Sequence, residues 1–516
     1  MGWANKIKKL FHGRPKCLSL GRLANMDATN TATVEPTLES LNARALPQWF
    51  DDAKFGIFIH WGMFAIPAFA EKHGNIHETF VKKYDTAVAR TPYTEWYANA
   101  IKVPGTESYE YHQKTYNGAP YQSFKKPFLD GLKDWDPAEW AELFRKSGAQ
   151  YVVLVTKHHD GFCLWPSAIT NPNEEDWFTE RDIVGELADA VRAAGLRFGI
   201  YYSGGIDWTF NRKPLRTLAQ FMGSVPGGKY EAYAMAQVRE LVDRYQPSIL
   251  WNDIAWPGNL KPLLGLFADY YNAVPDGLVN DRWMHAAWYA RVLRTKPAQW
   301  LLDWSLKRSI KKSKGGGVMV PPRIPHSDFR TPEYTSFDTL QKKKWEATRG
   351  MSHSFGFNRN DTPDDYETPE NLLTGFIDAV SKNGNLLLNV GPRGVDGSIP
   401  EPQLERLEFF GNWLKKNGHA IYGARPWHQT DAKTTCGLDV RFTTKGDTLN
   451  VIVLGTPASS EIRLEDTIIA AKSGKAPDGS PVTVEQQGST CVLRMEKSLD
   501  EEPAHTLTFE LLEVYA

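Results

Sequence analysis

The stretch DPAEWAELFRKSGAQYVVLVTKHHDGF, residues 136–162, decides the fold. Asp136 offers a side-chain oxygen as a helix cap, Pro137 presets φ at the first helical position, and Gly148 closes the helix. The apolar run YVVLVT that follows has no polar face, as expected of a strand buried on both sides. It ends in a polar cluster, Lys157, His158, His159 and Asp160. A helix that feeds a fully buried strand is the repeating unit of a parallel sheet with crossover helices.

The unit recurs along the chain. KFGIFIHWG (54–62) reads as a strand that reaches His60. DIVGELADAVRAAG is an amphipathic helix ending at Gly195, and the strand LRFGIYYSGG follows it. The helix YEAYAMAQVRELVDRY leads into the strand SILWNDIAWP (248–257), and LVNDRW (278–283) reads as another strand. TPENLLTGFIDAVSKNG, NLLLNVGP and EPQLERLEFFGNWLKKNG give a last helix, strand and helix. The number of units predicts a (β/α)8-like TIM barrel over residues 46–425.

After about residue 425 the period changes to two. LDVRFTTKGDTLNVIVLG, CVLRMEKS and HTLTFELLEV alternate apolar with polar, and predict a C-terminal antiparallel β-sandwich over 426–516. Between Trp283 and Glu333 the segment RSIKKSKGGGVMVPPRIPHSDF (308–329) is basic, then glycine-rich, then proline-rich. It reads as a loop inserted after a strand, at about 284–325. Such a loop either lines the active face of a barrel or lies free in solvent.

Bulk numbers exclude several classes of function. The 516 residues carry a net charge of −1, so neither nucleic acid nor an anionic membrane surface is the expected partner. The first 26 residues hold six Lys or Arg and no acid, so the remainder carries 54 basic against 61 acidic residues. This leader, taken as 1–45, has no apolar run of secretory length, and no spanning helix appears in the chain. It reads as a disordered tail, a transit peptide, or upstream sequence ahead of a start at Met26. The cysteines Cys17, Cys163, Cys436 and Cys491 form no CxxC pair, so the expectation is a reducing cytoplasm with neither zinc site nor disulfide framework. Eighteen Trp suggest aromatic faces for ligands, sugars included, beyond those spent on the core.

The carboxyl ends of barrel strands converge on one face, so the polar residues that end them should meet. These are His60; Lys157 to Asp160; Tyr201, Tyr202 and Ser203; Trp251, Asn252 and Asp253; and Asn280, Asp281 and Arg282. Two carboxylates across a sugar are the minimal apparatus of glycoside hydrolysis. Asp253, held at a strand end and framed by Trp251 and Trp256, suits the nucleophile. The acid must carry a raised pKa, and Glu95, Glu333 and Glu346 are its candidates. Two histidines and an Asp also suit a metal. His158 and His159 are adjacent, however, and on a strand they point to opposite faces. Hydrogen bonding to hydroxyls is therefore expected of them, with one of the pair structural, and no metal or cofactor is called for.

The motifs KFGIFIHWG, TEWY, TKHHDGFCLW, YYSGGIDW, LWNDIAWP, NDRW, RTPEY, SFGFNRN and GNLLLNVGP, in this order over about 47–427, resemble the α-L-fucosidases of glycoside hydrolase family 29. The resemblance implies a retaining exo-hydrolase of terminal α-linked L-fucose, acting on a fucosylated glycan through a covalent fucosyl-enzyme. It implies Asp253 as nucleophile and Glu333 as acid/base. It implies fucose contacts from His60, Glu95, Trp96, His158, His159, Tyr201, Trp251 and Arg282, with Phe355 against the C6 methyl. The basic leader and the insertion depart from the family pattern, and the insertion bears on the leaving-group side. The rival readings are a hydrolase of a related sugar such as α-L-galactose, and a fucose-binding protein without turnover.

Overall fold

The computed structural model describes residues 33–72, 76–285, 292–312 and 324–512. The leader call on the first residues, and 286–291 and 313–323 of the insertion, lie outside these. From Val34 onward the chain forms one compact unit.

Seven parallel strands build the first sheet among the described residues: β1 (Phe55–Ile59), β2 (Tyr151–Lys157), β3 (Arg197–Ser203), β4 (Ile249–Asp253), β5 (Leu278–Val279), β6 (Trp345–Arg349) and β7 (Gly384–Val390). Their order is β5-β4-β3-β2-β1-β7-β6. The crossovers that bear on the site are α1 (Pro137–Lys146), α2 (Ile183–Ala193), α3 (Leu218–Met222), α4 (Lys229–Tyr245), α5 (Leu260–Ala273), α6 (Lys296–Lys312), α7 (Pro369–Ser381) and α8 (Glu401–Asn417). The opening stretch folds as read: Asp136 caps the backbone N–H of Ala138, and Gly148 takes φ 90° between α1 and β2.

The strands alternate between two cores. Tyr151, Val153 and Val155 face inward with Phe58, Tyr201, Trp251 and Leu387. Val152 and Leu154 face outward against the helices. Inward-facing side chains fill the middle of the sheet, as in a (β/α)8-like barrel.

The eighth stave is irregular. Residues 328–334 run between β5 and β6 and bond to both. Asp328 N donates to Val279 O at 3.0 Å, while Val279 N donates to Asp328 Oδ2 at 2.7 Å. Farther along, Arg330 N donates to Lys344 O, Glu346 N to Arg330 O and Tyr334 N to Thr348 O. Phe329 turns into the inner core.

Two expectations are corrected. LVNDRW is strand only at Leu278–Val279, because the Asn280 side chain replaces the ladder: its Oδ1 accepts Asn252 N at 3.0 Å and its Nδ2 donates to Asn252 O at 2.8 Å. The inserted stretch is not a loop throughout, since Lys296–Lys312 is the 17-residue helix α6. Good helix formers fill it, and Asp303 pins it by accepting from Tyr84, Thr217 and the backbone of Ala219.

The second sheet is antiparallel: β8 (Arg425–Lys433), β9 (Asp439–Lys445), β10 (Thr448–Leu454), β11 (Glu461–Leu464), β12 (Ala471–Lys475), β13 (Pro481–Gln487), β14 (Thr490–Met495) and β15 (Ala504–Leu511). It forms the C-terminal β-sandwich around its own core of Trp427, Phe442, Val451, Leu493 and Phe509. Ile452, Leu454 and Ala504 join the barrel's outer core instead.

Candidate active site

A cavity of about 190 Å³ opens where the barrel strands end. The eleven residues that the family resemblance implied all line it: Asp253, Glu333, His60, Glu95, Trp96, His158, His159, Tyr201, Trp251, Arg282 and Phe355; of the other strand-end residues, Lys157, Asp160, Tyr202, Ser203, Asn252, Asn280 and Asp281 do not. Its volume lies below the roughly 300–1,000 Å³ of drug-sized pockets.

Asp253 is the last residue of β4. Its Oδ2 accepts the Tyr201 hydroxyl at 2.8 Å, and its Oδ1 accepts Ile254 N at 2.8 Å and Arg282 Nη1 at 2.9 Å. Burial pushes this carboxyl up, but the Arg282 guanidinium, His159 and the Tyr201 hydrogen bond outweigh it, and Asp253 is held below its ordinary range. Ile254 adopts φ 69°, which a β-branched side chain strongly resists. The turn there puts two backbone donors, Gly205 N and Ala255 N, on the Asp253 carbonyl.

Glu333 sits on the irregular stave. Its Oε2 accepts Arg282 Nη2 at 2.9 Å and its Oε1 accepts the Tyr93 hydroxyl at 3.3 Å. Tyr334, which follows it, is also left-handed at φ 51°. One guanidinium therefore holds both carboxylates. Arg282 is itself oriented by Thr331 and lies over the Trp251 ring at 4.7 Å. Trp251 stacks on Tyr201 and donates its indole N–H to Glu346 at 3.3 Å.

Two histidines have fixed tautomers. Asn389 spends its Nδ2 on the Phe355 carbonyl, so its Oδ1 must accept from His60 Nδ1, 2.6 Å away. Ser203 donates its hydroxyl to Ile206 O, so it accepts from His159 Nδ1 at 2.6 Å. In each ring Nε2 is then a free acceptor. Burial drives His60 down to about 3 and His159 to about 4, so both are neutral at pH 7. The His60 ring stacks on Phe355 with centroids 4.9 Å apart.

Glu95, 3% exposed, accepts Gly356 N at 3.1 Å. Burial, helped by the charge of Glu333, raises its carboxyl to about 7. Glu346 is also raised to about 7 by burial. It accepts Tyr151 and Trp251 inside the barrel and does not line the cavity.

Two expectations fail here. His158 and His159 do not diverge: β2 ends at Lys157, the strand period lapses, and both rings line the cavity with centroids 4.0 Å apart. Trp256 does not frame the site. It is fully buried and packs on Trp283, because the turn at Ile254 sends it behind β4. Sequence reasoning also missed lining residues. Phe58 lies two residues before His60 on one strand, so the period of two was the available signal. Tyr93, Thr348 and the apolar wall of Phe80, Val88, Leu218, Phe221 and Ile254 gave none. Among the described residues no group of three or more His, Cys, Asp or Glu is placed to hold a metal ion.

The family model described as alpha-L-fucosidase matches residues 22–419. The alpha-L-fucosidase of Dictyostelium discoideum is 31% identical over 93% of this chain and 95% of its own. The human tissue alpha-L-fucosidase is 31% identical over 84% of this chain and 81% of its own. The alpha-fucosidase of Thermotoga maritima, solved with a mechanism-based inhibitor, superposes with a TM-score of 0.77 at 40% identity, covering 92% of this chain and 99% of that one.

Proposed function

We propose, for a chain that belongs to the alpha-L-fucosidase family, a retaining exo-hydrolysis of terminal α-linked L-fucose with Asp253 as nucleophile and Glu333 as acid/base. The observation that carries the reading is the pair of carboxylates on one cavity of single-sugar size, joined through Arg282. Asp253, kept ionised, attacks the anomeric carbon as Glu333 protonates the departing oxygen. The fucosyl-enzyme is then opened by a water that gives its proton to Glu333, and two inversions give net retention. The free Nε2 atoms of His60 and His159 accept hydrogen bonds donated by hydroxyls of the sugar. Phe355 and Phe58 give the C6 methyl an apolar wall. A sugar with a hydroxyl at C6, such as α-L-galactose, leaves that group unpaired there at about 1–3 kcal/mol. The substrate is a fucosylated glycan or oligosaccharide.

The raised carboxyl of Glu95 favours a second assignment, in which Glu95 gives the proton and Glu333 serves to hold Arg282. Azide separates the two. Asp253→Gly should lose at least ~1,000-fold in kcat on para-nitrophenyl α-L-fucoside and regain part of it with azide, releasing the β-azide. Whichever of Glu333→Ala and Glu95→Ala is rescued by azide with release of the α-azide identifies the acid/base. Wild-type binding of fucose without turnover, or turnover untouched by Asp253→Gly, would sink the reading.

A further inference from the structure

We propose that the cavity on the outer side of α3 is a saccharide-binding subsite for the glycan that carries the fucose. The identity of that glycan as a fucosylated chain rests on the fucosidase reading above. The inner cavity takes about one sugar ring, so the rest of any substrate must leave over its rim. One rim wall is α3, which gives Leu218 and Phe221 to the inner cavity. The opposite side of the same five-residue helix gives Gln220 to a second cavity of about 610 Å³. The two spaces are thus separated by a single helical turn.

The lining of the outer cavity has the chemistry of a sugar site. Trp300 of α6 stands at its edge 69% exposed, with Leu301 and Trp304 exposed beside it at 58% and 48%. Contiguous exposed apolar surface of this kind marks a binding face. An indole face suits the C–H face of a pyranose, and polar groups around it suit the hydroxyls. Ser224 and Asn211 close one wall of the cavity, with Asn211 Nδ2 donating to Ser224 O at 3.2 Å. Gln220 uses its Oε1 on Arg216 N, and Gln299 uses its Nε2 on Leu293 O, so each keeps one amide function for a ligand.

The platform is held to the rim. Asp303, one turn after Trp300, accepts from Thr217 Oγ1 at 2.9 Å and Ala219 N at 3.2 Å at the start of α3, and Lys307 pairs with Asp85 at 2.7 Å. A glycan stacked on Trp300 therefore has a fixed position relative to the inner cavity, as productive positioning of the scissile bond requires.

The test compares wild type, Trp300→Ala and Trp300→Phe on para-nitrophenyl α-L-fucoside, both fucosyllactose isomers and fucosyl-N-acetylglucosamine. Trp300→Ala should raise KM for the best-hydrolysed oligosaccharide about tenfold while leaving the aryl fucoside within about twofold, and Trp300→Phe should restore most of the loss. Unchanged kinetics on every oligosaccharide, or an equal loss on the aryl fucoside, overturns the proposal. Should wild type hydrolyse none of these compounds, the fucosidase reading fails on its own. The subsite is then decided by saturation-transfer NMR with lactose and the same oligosaccharides: binding lost in Trp300→Ala supports it, and no binding to wild type overturns it.

Discussion

Ile254 and Tyr334 both occupy the left-handed region, and each directly follows one of the two facing carboxylates. Such strain persists only where surrounding structure over-determines it, and it gathers at functional sites. Glu346 shows a different cost. Its carboxyl is completely buried and raised to about 7 by that burial, well above its ordinary 4.5. A raised acid contributes stability below its unfolded value that is lost as pH rises through its folded value. The neutral amide of Glu346→Gln escapes that loss. The melting temperature of Glu346→Gln minus that of wild type should therefore rise from pH 4.5 to pH 8, by an amount equivalent to roughly 3 kcal/mol at most. A difference that is flat with pH in differential scanning calorimetry would show that Glu346 does not titrate there. At this scale the strand ends made part of the cavity legible: His60, His158, His159, Tyr201, Trp251, Asp253 and Arg282 line it, whereas Lys157, Asp160, Tyr202, Ser203, Asn252, Asn280 and Asp281 do not, because alternate strand positions face other cores. Tyr93 was not legible: it reaches Glu333 from a non-periodic segment.

At the scale of elements, Lys157 and Asp207 tie the end of β2 to the turn after β3. Their 2.9 Å pair is fully buried, and Lys157 also lies 4.3 Å from the centroid of the Tyr202 ring. Asp207 further accepts from the backbone and hydroxyl of Thr209. Removing one partner leaves an uncompensated charge in the core, so Asp207→Ala should cost about 3–5 kcal/mol in urea denaturation. A loss under 1 kcal/mol would mean that water reaches Lys157. The strands and helices with clear periods were readable in the sequence. The stave 328–334 was not, because Pro332 and its charged neighbours hide a strand that pairs through side chains and isolated bridges. The helix α6 escaped because its Trp300, Leu301 and Trp304 face solvent, which removes the one-sided apolar stripe that a helical reading relies on.

Across the whole molecule, the sandwich does more than follow the barrel. Ile452, Leu454 and Ala504 fill the barrel's outer core. Arg441 pairs with Asp378 of α7 at 2.5 Å, Arg425 pairs with Asp51 and Asp52, and Trp413 of α8 donates to Ala504 O at 3.0 Å. A chain ending at residue 424 should lose the cooperative thermal transition of the full protein or melt at least 10 °C lower, since apolar faces of α7 and α8 would meet water. An unchanged melt by circular dichroism would make the sandwich a passive appendage. The change of period at about 425 announced this second sheet, but no periodic signal can announce which of its side chains belong to a neighbour's core. The paired hydrogen bonds between Val279 and Asp328 have a broader meaning. The chain departs and returns at a single clasp, with Glu333 five residues beyond the return. Because the entropy of closing a loop grows only with the logarithm of its length, the part of the segment between Trp283 and His326, beyond Arg282, is free to lengthen, shorten or change composition at little cost in loop closure. Asp253, Arg282 and Glu333 would keep their places throughout. The barrel thus works as a fixed chuck that accepts exchangeable bits, with the stretch that carries α6 as the part that can be swapped.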